Sequence, residues 1–99
     1  MAQIRMSVDE IDFLCMQCKT LADKYAENIG ETNKILQLLN DAWDGDEIGG
    51  HMHQLEESLR QTETAKKMLR ELAYQLENVS RSMRDAEQHL ASQLRGIFD

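Results

Sequence analysis

The sequence predicts an all-α protein in which two long helices fold back as an antiparallel hairpin and two hairpins pack as a four-helix bundle. No proline occurs in its 99 residues, and the hydrophobic fraction is 41% with only 5% aromatic residues. A core of Leu, Ile, Met and Ala is typical of helical bundles. One central stretch, Asp41–Gly50, holds the only Trp and three of the five Gly residues, so it is the natural place for a turn.

The first helix is predicted to cover about residues 8–42. Ser7-Val8-Asp9-Glu10 matches a capping box, with Ser7 as N-cap and Glu10 reaching back to its amide. Apolar residues then follow at spacings of three and four, as in an a/d seam, with a second apolar row beside it that Asn28 interrupts. From these rows we assign to the core or to a dimer contact Ile11, Cys15, Cys18, Leu21, Tyr25, Ile29, Leu36 and Leu39.

The turn is predicted at residues 43–46, with Trp43 and Gly45 as its motif. Glycine takes φ > 0 without steric cost, which the end of a helix near Trp43 requires. Asp46 is a good N-cap for a second helix over about 47–95, which Gly96 ends by fraying. The core and dimer residues assigned to this helix are Leu55, Leu59, Leu69, Leu72, Leu76, Val79, Met83 and Leu90.

The width of the apolar stripes predicts the oligomeric state. A contact between only two helices needs a narrow a/d stripe, whereas a bundle needs a wider one. Both predicted helices carry the wider stripe, because Leu14, Leu21 and Ile35 in the first and Met52 and Leu59 in the second flank the seam. We therefore expect residues 1–99 to form a single hairpin domain that dimerises.

Charge excludes several partners. The net charge of −7 argues against a nucleic-acid partner, which would be bound by a basic stripe, and against an anionic membrane surface.

No apolar run approaches the roughly 20 residues needed to span a bilayer, so we expect no membrane insertion. The first residues, Met1 to Ser7, lack the apolar block of a secretory signal peptide.

The central Trp43-Asp44-Gly45 between two uninterrupted amphipathic segments resembles the WXG-motif family, the early-secreted-antigen-like substrates of type VII secretion systems. The opening Met-Ala-Gln-Ile-Arg followed by a capped acidic turn is also similar to Gram-positive members of that family. The resemblance covers the whole chain. It implies a noncatalytic helical hairpin without a cofactor, which pairs with itself or with a paralogue and is exported by a membrane ATPase.

The same resemblance implies an export element near the end of the second helix, with Tyr followed four residues later by Asp or Glu. The matching register here has Met83 and Glu87, so Glu87 fits and the Tyr is replaced. Tyr74 is followed at that spacing by Asn78, which does not fit. We therefore treat Met83 and Glu87 as a degenerate export element, with plain seam and surface roles as the alternative.

Three functions remain open at this point. The first is a secreted type VII substrate, which has a cytoplasmic pool before export. A virulence factor would belong to this first class. The second is an adaptor that binds the helical N-terminal domain of a larger exported toxin. The third is a cytosolic coiled-coil structural protein, which would tolerate the loss of Trp43. We identify no residue set for catalysis.

Possible sites also have simpler structural interpretations. Cys15 and Cys18 form a C-x-x-C pattern, but both lie on the apolar seam, so core packing is favoured over a dithiol, a metal site or an intermolecular bridge. His51 and His53 lie two residues apart, which on a helix places them on different faces, so solvated side chains are favoured over a metal site. Trp43 either plugs the end of the bundle or joins a recognition surface with the partner's C-terminal helix.

Overall fold

Two long antiparallel α-helices make up the computed structural model, which describes residues 5–43 and 46–98. Helix α1 covers Val8–Ala42 and helix α2 covers Asp46–Phe98. Interhelical pairs join Asp12 to Arg84 and Asp23 to Arg70, so the residue number rises along α1 as it falls along α2. No strand occurs within the two described ranges, and the predicted all-α hairpin is confirmed.

The ends of α1 follow from local hydrogen bonding. At the N-terminus, the Glu10 amide donates to Ser7 Oγ at 3.1 Å, as the predicted N-cap requires. At the C-terminus, Trp43 leaves the helix with φ −127° and ψ 120°, while its amide still donates to the Leu39 carbonyl at 2.9 Å. The predicted role of Gly45 in the turn lies outside the described residues.

Helix α2 differs at both ends from the predicted range of 47–95. Asp46 is its first helical residue instead of the N-cap, and the helix continues through Gly96 to Phe98. The start is within the one or two residues by which helix boundaries ordinarily vary. A single glycine costs only about 1 kcal/mol of helix propensity, so Gly96 does not end a helix that the preceding turns support.

The core of the hairpin is one narrow seam between the helices. Ala22 on α1 is fully buried and Ala73 on α2 is 2% exposed, so small side chains lie at the contact and let the two backbones approach. Ile11 is the largest side chain that is almost completely buried. The buried residues are Val8, Ile11, Cys15, Ala22, Leu36, Ala73 and Ser80. One seam buries only one side of each helix, so the remaining apolar surface faces solvent.

Helix α2 is longer than α1 and extends beyond its N-terminal end. The molecule is 80 Å along its longest axis, which is about the length of 53 helical residues at 1.5 Å each. Asp12, one turn inside α1, already pairs with Arg84, and every side chain from Arg84 to Ile97 is exposed. The last three turns of α2, including Leu90 and Leu94, therefore project beyond the start of α1.

Candidate functional site

One side of the hairpin is held by ion pairs. Three of them join the helices there: Asp12 with Arg84, Lys19 with Glu77, and Asp23 with Arg70. We call this side the charged edge. All six side chains stay well exposed to solvent, so each pair contributes little to stability and serves mainly to fix the alignment of the helices.

The tightest cluster on the charged edge is built around Asp12. Ser80 is only 5% exposed, and its hydroxyl donates to Asp12 Oδ1 at 2.5 Å. Arg84 donates to the second carboxylate oxygen. The hydrogen bond from Ser80 lowers the pKa of Asp12, partial desolvation opposes that shift, and Arg84 lowers the pKa further. The cluster satisfies a polar side chain buried between the helices, which would otherwise destabilise the seam.

The lowered pKa predicts a specific acid sensitivity. A carboxyl group whose pKa is lower when folded contributes stability above its unfolded value of 3.8, and that contribution is lost as the pH falls through the folded value. We expect Asp12→Asn to lower the thermal midpoint at neutral pH and to have a smaller effect at about pH 3. Thermal unfolding followed by circular dichroism measures both. Asp85→Asn, which changes an exposed carboxylate without an interhelical partner in the described ranges, is the control. An effect of Asp12→Asn that is equal at both pH values would contradict this assignment.

The other side of the hairpin is apolar. Leu14 and Leu21 follow Asp12 and Lys19 by two residues, and two residues turn a helix by about 200°, so these leucines lie on the opposite side of α1 from the charged edge. On α2, Leu72 and Val79 likewise follow Arg70 and Glu77 by two residues, so they lie on the opposite side of α2 from the charged edge. We call this side the apolar face, and its residues are Leu14, Leu21, Ile35, Ala65, Met68, Leu72, Val79 and Ala86.

Grooves on the surface of the hairpin show the same division. A groove of 470 Å³ on the apolar face is lined by Leu21, Tyr25, Ala65, Met68, Leu69 and Leu72. A second groove, of 330 Å³, lies on α2 alone and is lined by Asn78, Val79, Ser82, Met83 and Ala86. Neither is lined by a charged side chain, whereas Lys19, Asp23, Arg70 and Glu77 line the groove on the charged edge. The apolar face therefore has the chemistry of a protein contact surface.

A polar notch interrupts the apolar face between Leu21 and Ile35 of α1. This notch, of 330 Å³, is lined by Tyr25, Asn28, Ser58, Gln61, Thr62 and Ala65. Thr32 lies beside it, and its hydroxyl donates to Asn28 Oδ1 at 3.4 Å. The Thr62 hydroxyl donates to the Ser58 carbonyl at 2.9 Å. The lining has hydroxyl and carboxamide groups but no charge, so the notch can hydrogen-bond with another uncharged polar group.

The residues predicted from the seam lie in three environments. Ile11, Cys15 and Leu36 are buried between the helices. Those that are half-buried along the seam are Cys18, Tyr25, Ile29, Leu39, Leu55, Leu59, Leu69, Leu76, Val79 and Met83. Leu21, Leu72 and Leu90 are exposed and do not belong to the core of the single hairpin. Leu21 and Leu72 are exposed because they lie one row away from the seam, and Leu90 because it lies beyond the start of α1.

The structure separates the residues of the turn motif from those of the degenerate export element. Trp43 is 56% exposed at one end of the hairpin. Met83 lies in the groove beside Val79, near the other end, and Glu87 is exposed on the projecting part of α2. A single hairpin therefore cannot combine Trp43 with Met83 and Glu87 in one continuous surface.

The cysteines and histidines have ordinary surroundings. Cys15 is buried, and its thiol donates to the Ala73 carbonyl at 3.3 Å, while Cys18 is half-buried; both thiols are free. His51 and His53 are exposed. Across residues 5–43 and 46–98, no group of three His, Cys, Asp or Glu side chains is arranged to hold a metal ion. These residues are therefore not part of the candidate site.

Two features of the structure were not predicted from the sequence. The first is the burial of Ser80. Ser80 follows Ala73 by seven residues and has a small side chain, and this spacing is the sequence signal that could have placed it on the seam. The opposition of a charged edge and an apolar face also depends on which rows face each other across the hairpin. That opposition makes the apolar face, together with its polar notch, the candidate functional site.

Comparisons with known proteins identify no relative: no protein-family model, curated protein or solved structure matches the chain. The resemblance to the WXG-motif family therefore remains a hypothesis carried by residues such as Trp43 and Gly45. Neither helix, over its described residues, has a stretch both long and apolar enough to cross a bilayer.

Proposed function

We propose that this chain is a noncatalytic helical hairpin that is exported by a type VII secretion system and works as a dimer through its apolar face. The observation that carries the proposal is the apolar face itself. Its grooves are uncharged, and it includes exposed Leu21, Met68 and Leu72. An exposed apolar surface of this kind on a small protein marks a contact site with another molecule.

The ends of the molecule support a presentation role. Trp43 is exposed where α1 ends, and the last three turns of α2 project without a covering helix in the described ranges. An isolated helix of this length is marginal in water, so the projecting turns gain stability when another surface covers them. In this proposal the turn and the C-terminal segment form the surface that the export machinery binds, and the dimer holds them in place.

The direct test is export from a bacterial host with and without the ATPase of its type VII system. We expect the protein in the culture medium only when the ATPase is present, with a cytoplasmic lysis marker absent from the medium in both strains. Export that persists without the ATPase would overturn the secretion assignment while leaving the dimer open.

The same export assay tests Trp43. We expect Trp43→Ala to abolish or strongly reduce export without changing the helical content or the mass of the dimer, because Trp43 is 56% exposed and lines neither the grooves nor the notch of the apolar face. Leu38→Ala is the matched control, since Leu38 is also a large apolar side chain on the outside of the hairpin and is 68% exposed. Unimpaired export of Trp43→Ala would contradict the role of Trp43 in the surface that the export machinery binds.

An adaptor for a larger exported toxin is the second candidate. The observation that favours it is the same uncharged surface, which fits the apolar stripe of any amphipathic helical hairpin, including a toxin's N-terminal domain. Its distinguishing sign is a chain that associates weakly with itself and gains helical content when mixed with the helical domain of a neighbouring gene's product. Titration followed by circular dichroism separates the two functions.

A further inference from the structure

We propose that a second copy of this chain lies antiparallel on the apolar face, with a two-fold axis passing beside Asn28 in the polar notch. The inference rests on the proposed function, because it assumes that the apolar face is the dimer contact. It specifies the partner and the alignment, neither of which follows from apolar character alone.

The polar notch restricts what can cover it. Asn28, Ser58, Gln61 and Thr62 bring carboxamides and hydroxyls together in one notch, which lies between Leu21 and Ile35 along α1. Burying such groups against leucine would leave their hydrogen bonds unmade, which is unfavourable for each group. The covering molecule must therefore place uncharged polar groups opposite the notch.

A second copy meets this requirement in one register. A carboxamide is both a donor and an acceptor, so Asn28 can pair with Asn28 of a second copy across a two-fold axis. On α2, the polar residues Ser58, Gln61 and Thr62 lie at the level of Asn28, so the same axis brings them near their own counterparts. A lone buried Asn fixes register and oligomeric state in coiled coils in the same way.

The residues on either side of Asn28 are complementary in that register. Leu21 precedes Asn28 by seven residues and Ile35 follows it by seven. Leu21 of each copy therefore faces Ile35 of the other copy. Lys24 precedes Asn28 by four residues and Glu31 follows it by three, which brings opposite charges together twice. Both are exposed, and neither has an ion-pair partner among the described residues of its own chain. This charge complementarity is what favours a second copy over an unrelated chain.

The competing register is shifted to maximise apolar contact. If the axis passed beside Leu21, Asn28 would face Leu14 of the second copy, because these two residues lie equally far from Leu21. That arrangement buries the carboxamide against leucine, and Lys24 and Glu31 then no longer face each other. The two registers place different residues at the axis, so cross-linking distinguishes them.

Cysteine variants with a short bis-maleimide cross-linker test the register on the full chain. We expect Asn28→Cys to give a strong covalent dimer, and Leu21→Cys to give only the wild-type background due to Cys15 and Cys18. In the proposed register, two Leu21 positions are about 21 Å apart along the helix axis, beyond the reach of a short cross-linker. Because Asn28→Cys removes the residue under test, a mixture of Leu21→Cys and Ile35→Cys chains, which retain Asn28, is the second measurement. We expect this mixture to cross-link although neither variant does so alone.

Each outcome has a defined meaning when sedimentation equilibrium is measured on the same wild-type sample. A covalent dimer from Leu21→Cys alone would overturn the register. So would the absence of a covalent dimer from the Asn28→Cys chain, or its absence from the mixture. In these cases a dimeric mass of the wild type leaves the proposed function standing. A monomeric mass for the wild type would overturn both.

Discussion

Replacing Leu72 with glutamate is expected to turn the dimer into a monomer. Leu72 is 49% exposed in the single hairpin and lines the groove of the apolar face together with Leu21 and Met68. An unpaired charge buried in a contact costs about 3–5 kcal/mol, and the two-fold dimer would contain two of them. We expect the dissociation constant to rise by at least about a hundredfold, because each 1.4 kcal/mol is a factor of ten. Sedimentation equilibrium over a range of concentrations measures the change.

Tyr74→Glu is the matched control for this experiment. Tyr74 is two residues from Leu72 on the same helix and is 61% exposed, but it lines the groove on the charged edge. Both variants replace a large exposed side chain with glutamate and change the net charge equally. We expect Tyr74→Glu to dimerise like the wild type. Equal loss of the dimer in both variants would mean that the apolar face is not the contact.

Replacing Ile11 with alanine is expected to cause the largest loss of stability among single truncations. Ile11 is 2% exposed between the helices, near the open end of the hairpin, where α1 begins. Truncating a buried isoleucine to alanine costs about 2–5 kcal/mol, a large fraction of the total for a domain of this size. Urea unfolding followed by circular dichroism, at a fixed protein concentration, measures the free energy of unfolding.

The control for Ile11→Ala is Phe13→Ala. Phe13 is larger than Ile11 and only two residues away, but it is 60% exposed. We expect its truncation to change the free energy of unfolding by no more than about 0.5 kcal/mol. If Phe13→Ala were the more destabilising of the two, the side of α1 that faces α2 would be wrongly assigned.

The fold could be predicted because its determinants are local. The apolar spacing of three and four residues defines both helices, Ser7 starts the first, and the absence of proline leaves each uninterrupted. The end of α2 was misjudged because Gly96 is a weak breaker when the preceding turns are helical. These signals act within a few residues, which is the range over which a single sequence is informative.

The alignment of the two helices could not be predicted, because it is set by contacts between residues far apart in the chain. Asp12 pairs with Ser80 and Arg84, which are 68 and 72 residues away, and no local pattern indicates that match. The apolar rows beside the seam were visible in the sequence. Their position on one face, opposite the charged edge, depends on that alignment, and so does the meeting of Asn28 with Ser58 and Gln61 in one notch.

The mass of the wild-type protein in solution tests the central claim most directly, which is that a second hairpin covers the apolar face. Sedimentation equilibrium combined with circular dichroism should be carried out across a wide dilution series. We predict twice the chain mass of 11.4 kDa at high concentration, with helical content falling as dilution separates the copies. A mass of 11.4 kDa at every concentration, with full and constant helical content, would contradict it.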